Sequence, residues 1–222
     1  LYIATGFIAS TSNGDTITLG RGGSDYTAAI IGAALDSPVI EIWTDVDGVM
    51  TSDPRKVPKA FFIPSLSYEE MMELSHFGAK VIYPPTIQPA LDKRIPVIIK
   101  NSFKPEFPGT TISDSAKHHD YAITGISSIE KIALLRVQGS GMVGVAGVSM
   151  RLFAALARHS INVILITQAS SEHTICFAVE PVVADRAKRF IDEEFALEIA
   201  AQLVDPVIVE SDLSIVSIVG EN

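Results

Sequence analysis

Residues 18–31 read TLGRGGSDYTAAII, and this stretch decides which fold the chain can adopt. Three glycines surround Arg21 and lead directly into an alanine-rich segment, so the chain leaves a strand, turns and enters a helix. A helix start presents unpaired N–H groups and a positive dipole end to an anion. Arg21 adds a planar guanidinium that can hold a carboxylate with two hydrogen bonds. The stretch predicts either an anion-binding loop or an ordinary tight turn capped by Ser24 and Asp25.

The segments around this loop alternate between strand and helix patterns. Residues 38–44 (PVIEIWT) and 95–103 (IPVIIKNSF) are apolar runs typical of buried strands. Residues 24–37 and 67–80 have helical patterns, and prolines in an opening turn favour a helix over 84–94. This alternation predicts an α/β fold, a sheet with helical cover, in a first domain over residues 1–103.

The second half of the chain has a different pattern. Residues 104–122 are polar and rich in turn-forming residues, which predicts a linker. Residues 123–210 then follow the order βαββαβ, which is that of a ferredoxin-like domain. A further strand pattern within residues 211–222 indicates the first strand of a second, truncated unit of the same kind.

The composition excludes several classes of partner. A net charge of −9 disfavours nucleic acid and acidic membrane surfaces, although a local basic or amide-rich site could still hold a nucleotide. No apolar run approaches the ~20 residues of a membrane span. The only cysteine, Cys176, excludes a disulfide within the chain and favours a reducing compartment. With no signal-peptide pattern and Leu1 in place of Met, the sequence is interpreted as part of a longer cytoplasmic protein.

A second candidate loop, WTDVDGVMTSDPRKV at residues 43–57, follows the apolar strand. Open α/β sheets bind ligands at the carboxyl ends of parallel strands, so Thr44 and Asp45 are expected to contact a nucleotide and Arg55 its phosphates. The alternative is a solvated acidic loop, since Asp-Gly and Asp-Pro pairs are turn signals by themselves. Lys80 at the end of the next helix could likewise serve only the helix dipole.

Two other patterns carry no prediction of a site. None of the five histidines has metal-ligand spacing with Cys176, so no protein metal site is predicted. Residues 139–144, GSGMVG, match the dinucleotide pattern G-x-G-x-x-G. An NAD site would need an acidic residue at the end of the next strand, where Gln168 stands, and a helix after it rather than a further strand. An NAD-dependent dehydrogenase is therefore disfavoured.

Taken together, these segments resemble the aspartokinases of the amino-acid kinase family. TLGRGGSDYTAA is similar to the aspartate-binding loop of that family, and TDVDGVMTSDPR is similar to its nucleotide loop. Residues 67–87, SYEEMMELSHFGAKVIYPPTI, resemble its helix-and-lysine segment. The βαββαβ unit resembles an ACT domain, the amino-acid sensor attached to aspartokinases. The resemblance covers essentially the whole chain.

The resemblance implies phosphorylation of the side-chain carboxylate of L-aspartate to 4-phospho-L-aspartate, with ATP and Mg²⁺, as the first step toward lysine, threonine and methionine. The implied substrate-binding residues are Arg21, Gly22, Gly23, Ser24 and Asp25. The implied ATP-binding residues are Thr44, Asp45, Met50, Arg55, Lys80 and Val81. Met50 stands where the family commonly has a tyrosine, which weakens a stacking role at that position.

The resemblance also implies an allosteric effector site. Its expected residues are Met142, Val143, Gly144, Gly147, Asn162, Ile164 and Gln168. The amide of Gln168 suits a threonine hydroxyl, and LITQ resembles aspartokinases fused to homoserine dehydrogenase, so threonine is favoured over lysine. The alternative is that Gln168 merely ends a strand. Paired ACT domains bury sheet edges, which predicts a homodimer.

One departure from the family affects activity. The glycine-rich N-terminal segment of the family, with its catalytic lysine, is absent from these 222 residues, so this stretch alone is expected to be inactive. Two other classes stay open at this stage: an amino-acid-sensing and dimerisation module without activity, and a different carboxylate or phosphate kinase of the superfamily.

Overall fold

The computed structural model divides the chain into two compact units. The first consists of Leu1–Ser128 and Val216–Asn222, and the second of Ile129–Ile215. The described residues are 2–76, 81–114, 122–168 and 173–220, with Pro84 described by its backbone alone. Lys80, one of the predicted nucleotide-binding residues, therefore lies outside the described residues.

The first unit is built on a four-stranded sheet in the spatial order β3-β5-β6-β4, beside a separate β1-β2 hairpin. The strands are β1 (Ile8–Ser10), β2 (Thr16–Thr18), β3 (Ile40–Thr44), β4 (Ser65–Leu66), β5 (Val97–Asn101) and β6 (Thr110–Ile112). Strands β3 and β5 are parallel, with Ile40 opposite Val97 and Thr44 opposite Asn101. Their carboxyl ends therefore lie side by side, where an open sheet offers a ligand site.

Helices cover this sheet as predicted, although the helix expected over 84–94 is shorter. The helices are α1 (Gly23–Ala34), α2 (Tyr68–His76), a 3-10 turn (Pro84–Ile87) and α3 (Gln88–Asp92). A Cβ at Gly32 of α1 would lie 2.5 Å from Cδ1 of Ile40, so only glycine allows the helix to approach β3 this closely.

A capping box sets the start of α2. The Ser67 amide donates to Oε2 of Glu70 (2.9 Å), and the Glu70 amide donates to Oγ of Ser67 (3.0 Å). The hydroxyl of Thr124 donates to the same carboxylate, which is almost fully buried. The buried carboxylate of Glu70 thus accepts hydrogen bonds from two donors, the Ser67 amide and the Thr124 hydroxyl, which offset the cost of its burial.

The predicted linker over 104–122 is wrong at Thr110–Ile112, which form β6 between β4 and β5. Thr110 is fully buried; its hydroxyl accepts from the Val49 amide (2.8 Å) and donates to the Ile63 carbonyl (2.7 Å). Two β-branched threonines and an isoleucine favour a strand. The surrounding prolines and glycine masked this signal in the sequence.

The second unit has the predicted ferredoxin-like order, with the sheet arranged β10-β7-β9-β8. The strands of this sheet are β7 (Gly125–Gln138), β8 (Leu165–Gln168), β9 (Thr174–Val179) and β10 (Ile208–Val219), of which residues 125–128 and 216–219 are counted with the first unit. Its helices are α4 (Val148–Arg158), α5 (Ala184–Glu194) and α6 (Ala196–Ala200), with 3-10 turns at Ser140–Met142 and Pro181–Val183. The buried residues Leu135, Leu152, Phe177 and Ile191 join the sheet and the helices in one core.

Two expectations for this half need correction. The second helix of the predicted βαββαβ order is divided at Phe195, whose side chain is buried in the core. The last strand of that order and the further strand expected within residues 211–222 form one strand, β10, so the predicted boundary between 210 and 211 falls inside it. Asp212 has a φ of 58°, a local irregularity that the sequence pattern presents as a break.

Among the described residues, no helix is both long and apolar enough to cross a bilayer. The search for three or more metal-ligating side chains in one place found no group within the same residues.

Candidate substrate and effector sites

The glycine loop forms through two left-handed residues, Gly20 (φ 73°) and Gly22 (φ 70°). The Gly23 amide donates to the Gly20 carbonyl (3.1 Å), and α1 begins at Gly23 with Gly22 as its N-cap. The expected cap by Ser24 and Asp25 is wrong, because no side chain bonds the helix start. Left-handed Gly22 carries the chain directly into the helix, so both residues fall inside the first turn.

This geometry leaves hydrogen-bond donors available at the loop. Within the described part of the chain, the amides of Ser24 and Asp25 have no backbone or side-chain acceptor. The Arg21 guanidinium lies 5.9 Å from the centre of the Tyr83 ring, and none of the described carboxylates forms an ion pair with it. Partial burial raises the pKa of Asp25. The loop therefore combines an exposed cation, free amides and one acid at a helix N-terminus.

The glycine loop also packs against the segment that follows α2. A Cβ at Gly22 would lie 2.7 Å from Cγ2 of Thr86 and 3.1 Å from Cβ of Tyr83. The Thr86 hydroxyl donates to the Tyr83 carbonyl (2.6 Å) and fixes this turn. Val81, a predicted nucleotide residue, is half-buried against the core of the first unit.

The second candidate loop begins at the carboxyl end of β3. The Thr44 hydroxyl donates to Oδ1 of Asp45 (3.2 Å), and the Asp45 side chain is exposed. Met50 forms an isolated antiparallel bridge with Phe62. The structure therefore brings Thr44 and Asp45 together and fixes the backbone at Met50.

Arg55, predicted to reach phosphates, is bound to a neighbour in this structure. Its Nε and Nη2 donate to the two oxygens of Asp53 (3.0 and 2.8 Å), and its amide donates to Oδ1 (2.9 Å). These bonds lower the pKa of Asp53 to about 2. The pair is exposed on the Arg55 side (84%), where solvent screens such an attraction. A phosphate can therefore compete with Asp53 for the guanidinium.

Sequence reasoning missed a second charged cluster at this sheet edge. Nδ2 of Asn101 lies 2.5 Å from Oδ1 of Asp47, and Nζ of Lys104 lies 2.8 Å from Oδ2. Both contacts lower the pKa of Asp47, with the Lys104 hydrogen bond the larger cause. The available signal was that parallel strands end together, which puts the residues after β5 beside the loop after β3.

The second unit contains a cavity of about 500 Å³ at the N-terminus of α4. Its lining residues are Met142, Gly144, Val145, Ala146, Gly147, Val148, Ser149, Met150, Gln168 and Ile175. None of these side chains is ionisable. Oγ of Ser149 donates to Oε1 of Gln168 (3.5 Å), which joins the helix start to the end of β8.

Four of the seven predicted effector residues line this cavity: Met142, Gly144, Gly147 and Gln168. The other three, Val143, Asn162 and Ile164, are not among its lining residues. The amide of Ile164 donates to Ala178 (2.8 Å) in the approach to β8. Ser149 was missed because the pattern of α4 assigned it only to a helix.

The turn before α4 depends on glycine at two positions. Gly144 (φ 69°) and Gly147 (φ 90°) are left-handed, and Gly147 is the N-cap of α4. A Cβ on either would meet nothing within 4 Å, so backbone conformation rather than space requires glycine there. Strand β8 is followed by antiparallel β9, so GSGMVG does not belong to a dinucleotide-binding fold.

Comparison with known proteins matches the two halves of the chain to two different families. Residues 1–101 match the amino acid kinase family, and residues 135–195 match the ACT domain. The bifunctional aspartokinase/homoserine dehydrogenase of Haemophilus influenzae is 47% identical over 221 residues, covering all of this chain and 27% of that protein.

Two solved aspartate kinases have the same fold over 97% of the chain. The Clostridium acetobutylicum enzyme has a TM-score of 0.82 at 29% identity, with 49% of that chain covered. Escherichia coli aspartokinase III has been solved in two complexes, and 47% of its chain is covered in each. Its complex with lysine and aspartate has a TM-score of 0.73 at 35% identity. Its complex with aspartate and ADP has a TM-score of 0.74 at 33% identity.

The chain thus joins a segment of an amino acid kinase to an ACT domain. Because the similarity continues through both parts, the chain is similar to aspartokinases over its whole length. It spans about a quarter of the length of the bifunctional relative and about half that of the solved enzymes.

Proposed function

We propose that the chain supplies the aspartate loop, part of the nucleotide site and an effector-binding ACT domain of an aspartate kinase. The reaction is ATP-dependent phosphorylation of the side chain of L-aspartate to 4-phospho-L-aspartate. The observation that carries the proposal is the glycine loop, where an exposed arginine and free helix amides meet without a carboxylate partner among the described residues.

In the proposed aspartate site each group has a distinct role. Arg21 holds a carboxylate of the substrate with its planar fork, and the free amides of Ser24 and Asp25 at the helix start add the effect of the helix dipole. Asp25 accepts a hydrogen bond from the substrate ammonium group, which favours its ionised form against the effect of burial. Gly22 keeps the loop close to Tyr83 and Thr86. The aspartate bound in the solved E. coli enzyme supports this assignment by analogy.

The proposed nucleotide site lies at the carboxyl ends of β3 and β5. Thr44, Asp45, Met50 and Val81 are assigned to ATP, with Lys80, and Arg55 exchanges Asp53 for a phosphate. The exposed carboxylate of Asp45 fits a Mg²⁺ ion, which prefers one or two carboxylates together with phosphates. When bound, Mg²⁺ neutralises charge on the transferring phosphoryl group. Arg55 and Lys80 orient the phosphates toward the aspartate loop.

The cavity at α4 is the proposed effector site. Its lining has no ionisable side chain, so a zwitterionic amino acid meets the N-terminal end of the α4 dipole, and Gln168 and Ser149 meet its side chain. A short hydroxyl side chain suits this pair, and we therefore favour threonine over lysine. Val143, Asn162 and Ile164 are assigned to the same effector through a partner in a homodimer. The free thiol of Cys176 is consistent with a reducing location such as the cytoplasm.

Steady-state kinetics of the full-length protein test the aspartate site. Arg21→Ala is expected to raise the KM for aspartate roughly 100-fold by loss of a bidentate charged contact. Arg21→Lys keeps the charge but loses the fork, so its KM falls in between. Arg189→Ala on α5, an exposed arginine, is the control. An unchanged aspartate KM in Arg21→Ala, or an equal effect in the control, contradicts the proposal.

A further inference from the structure

Two consecutive segments of the second unit form most of the lining of the cavity at α4. One wall is the first turn of α4, including Ser149 and Met150, and the other is the turn that contains Met142 and Gly144. A pocket with two walls keeps its shape only if something holds them in register. Arg151 follows Met150 directly, and its amide donates to the Gly147 carbonyl (3.0 Å) at the helix start.

The Arg151 side chain has an unusually complete set of contacts. Nε donates to Oε1 of Glu194 (3.1 Å), Nη2 to the Glu194 carbonyl (2.7 Å) and Nη1 to Oε1 of Glu198 (2.5 Å). The guanidinium also lies 4.6 Å from the centre of the Phe195 ring, a cation–π contact. These bonds lower the pKa of both glutamates. One side chain of α4 therefore holds the junction between α5 and α6.

From this junction, hydrogen bonds continue to the other wall. The Glu198 carbonyl accepts from the amides of Leu203 (2.9 Å) and Val204 (3.3 Å). The Leu203 carbonyl accepts from the amide of Gly141 (2.8 Å), next to Met142 in the cavity wall. A Cβ at Gly141 would lie 2.6 Å from Cβ of Leu203, so this contact is tight.

We propose that Arg151 is a positioning residue for the effector pocket, acting through Glu198 and Leu203. The contacts form a closed ring: the first turn of α4, Arg151, Glu198, Leu203, Gly141 and back to the cavity turn. Arg151 does not touch the cavity, yet it sets the distance between the two walls. This inference rests on the proposed effector function, and it predicts that effector affinity depends on a residue outside the site.

Four substitutions in the full-length protein separate this role from general stability. Arg151→Gln removes the charge that joins α4 to α6, and Glu198→Gln weakens the same link from the other side. Arg158→Gln is the matched control, because Arg158 lies on the same helix and binds Glu194 (2.5 Å) but makes no recorded contact with Glu198 in the described part of the chain. Arg151→Lys keeps the charge without the fork.

Two measurements report on the pocket. Amide hydrogen exchange over residues 139–147, without any ligand, is expected to speed up in Arg151→Gln and Glu198→Gln relative to Arg158→Gln. Calorimetric affinity for threonine, with lysine in parallel, is expected to fall roughly five- to tenfold in the first two variants. The threonine affinity of Arg151→Lys is expected to lie between those of the wild type and Arg151→Gln. The kcat and KM measured without effector are expected to stay unchanged in all variants.

The outcomes distinguish this inference from the function on which it rests. Equal exchange and equal affinity in Arg151→Gln, Glu198→Gln and Arg158→Gln would overturn the positioning role even if the wild type binds threonine. A wild type that binds neither amino acid would overturn the effector function, whereas faster exchange of 139–147 in the two variants would still support the ring of contacts. Should Arg151→Gln fail to fold, Glu198→Gln decides.

Discussion

The two units carry candidate sites of opposite character. The loops of the first unit are charged: Arg21 and Asp25 lie at the start of α1, and the Asp53–Arg55 pair lies in the loop between β3 and β4. The cavity of the second unit has no ionisable lining residue. This difference fits the two proposed tasks, because a kinase site must neutralise several negative charges whereas an amino-acid sensor must select one zwitterion among many.

The glycines of the two sites are required for different physical reasons. Gly22 is needed for its conformation and for its space, since a Cβ would overlap Thr86. Gly144 and Gly147 are needed for conformation alone, since a Cβ there would meet nothing within 4 Å. The first site is thus closely supported by its surroundings, and the second opens into free volume.

The largest expected effect separates space from conformation in the first unit. Gly22→Ala is expected to abolish most kinase activity of the full-length protein, since the loop must move away from Tyr83 and Thr86. Gly20→Ala is the matched control, with a similar φ but an open surrounding. It should cost only the left-handed strain of about 1–2 kcal/mol. Kinetics and thermal unfolding of both variants check this, and equal losses would contradict the close packing.

A second effect tests the uncharged pocket. Gln168→Ala is expected to weaken threonine binding roughly fivefold to tenfold, the value of one buried hydrogen bond, without changing activity in the absence of effector. Gln88→Ala on α3 serves as the control, because that side chain bonds Asp92 on its own helix. Isothermal titration decides, and unchanged affinity would leave Gln168 as merely the end of a strand.

Ionic strength gives a third and smaller contrast. Raising salt from about 0.05 M to about 0.5 M should raise the KM values for aspartate and MgATP roughly threefold, because exposed charges are screened. Effector affinity should change less than about twofold over that range, because dipoles and hydrogen bonds dominate its pocket. Equal salt dependence at both sites, measured by kinetics and calorimetry, would remove the proposed difference in character.

The smallest effect concerns the exposed Asp53–Arg55 pair. The pKa of Asp53 is lowered from 3.8 to about 2, so the pair stabilises the folded state above pH 3.8 and loses this contribution as the pH falls toward 2. The difference in melting temperature between wild type and Asp53→Asn should therefore be constant near neutral pH and shrink below pH 4. Calorimetry at several pH values measures it, and a difference that grows on acidification would contradict the assignment.

Local patterns in the sequence were enough to predict much of the molecule. The βαββαβ order follows from the periodicity of each segment, because helices and strands bury one face at characteristic spacings. Met142, Gly144 and Gly147 were predicted through the resemblance of this unit to an ACT domain, and they precede α4 in the structure. Gln168 could be added through the resemblance of LITQ to a known family.

Contacts distant in sequence could not be predicted in this way. Asp47, Asn101 and Lys104 meet across more than fifty residues, and neither pattern nor composition reports which strand ends are neighbours. Strand β6 was missed because only its pairing with β4 and β5 reveals it. Ser24 was assigned to a cap by residue type, whereas the left-handed Gly22 decided where α1 begins.

The sequence by itself determined the order of the elements, the glycine positions and the acidic character of the chain, since these depend on local conformation and residue chemistry. Only the tertiary structure decided that Arg55 lies against Asp53, that Arg151 joins α4 to α6, and that the cavity lacks ionisable side chains. Each of these depends on which surfaces pack together. That choice is made by the burial of the whole core, and no short stretch of sequence contains it.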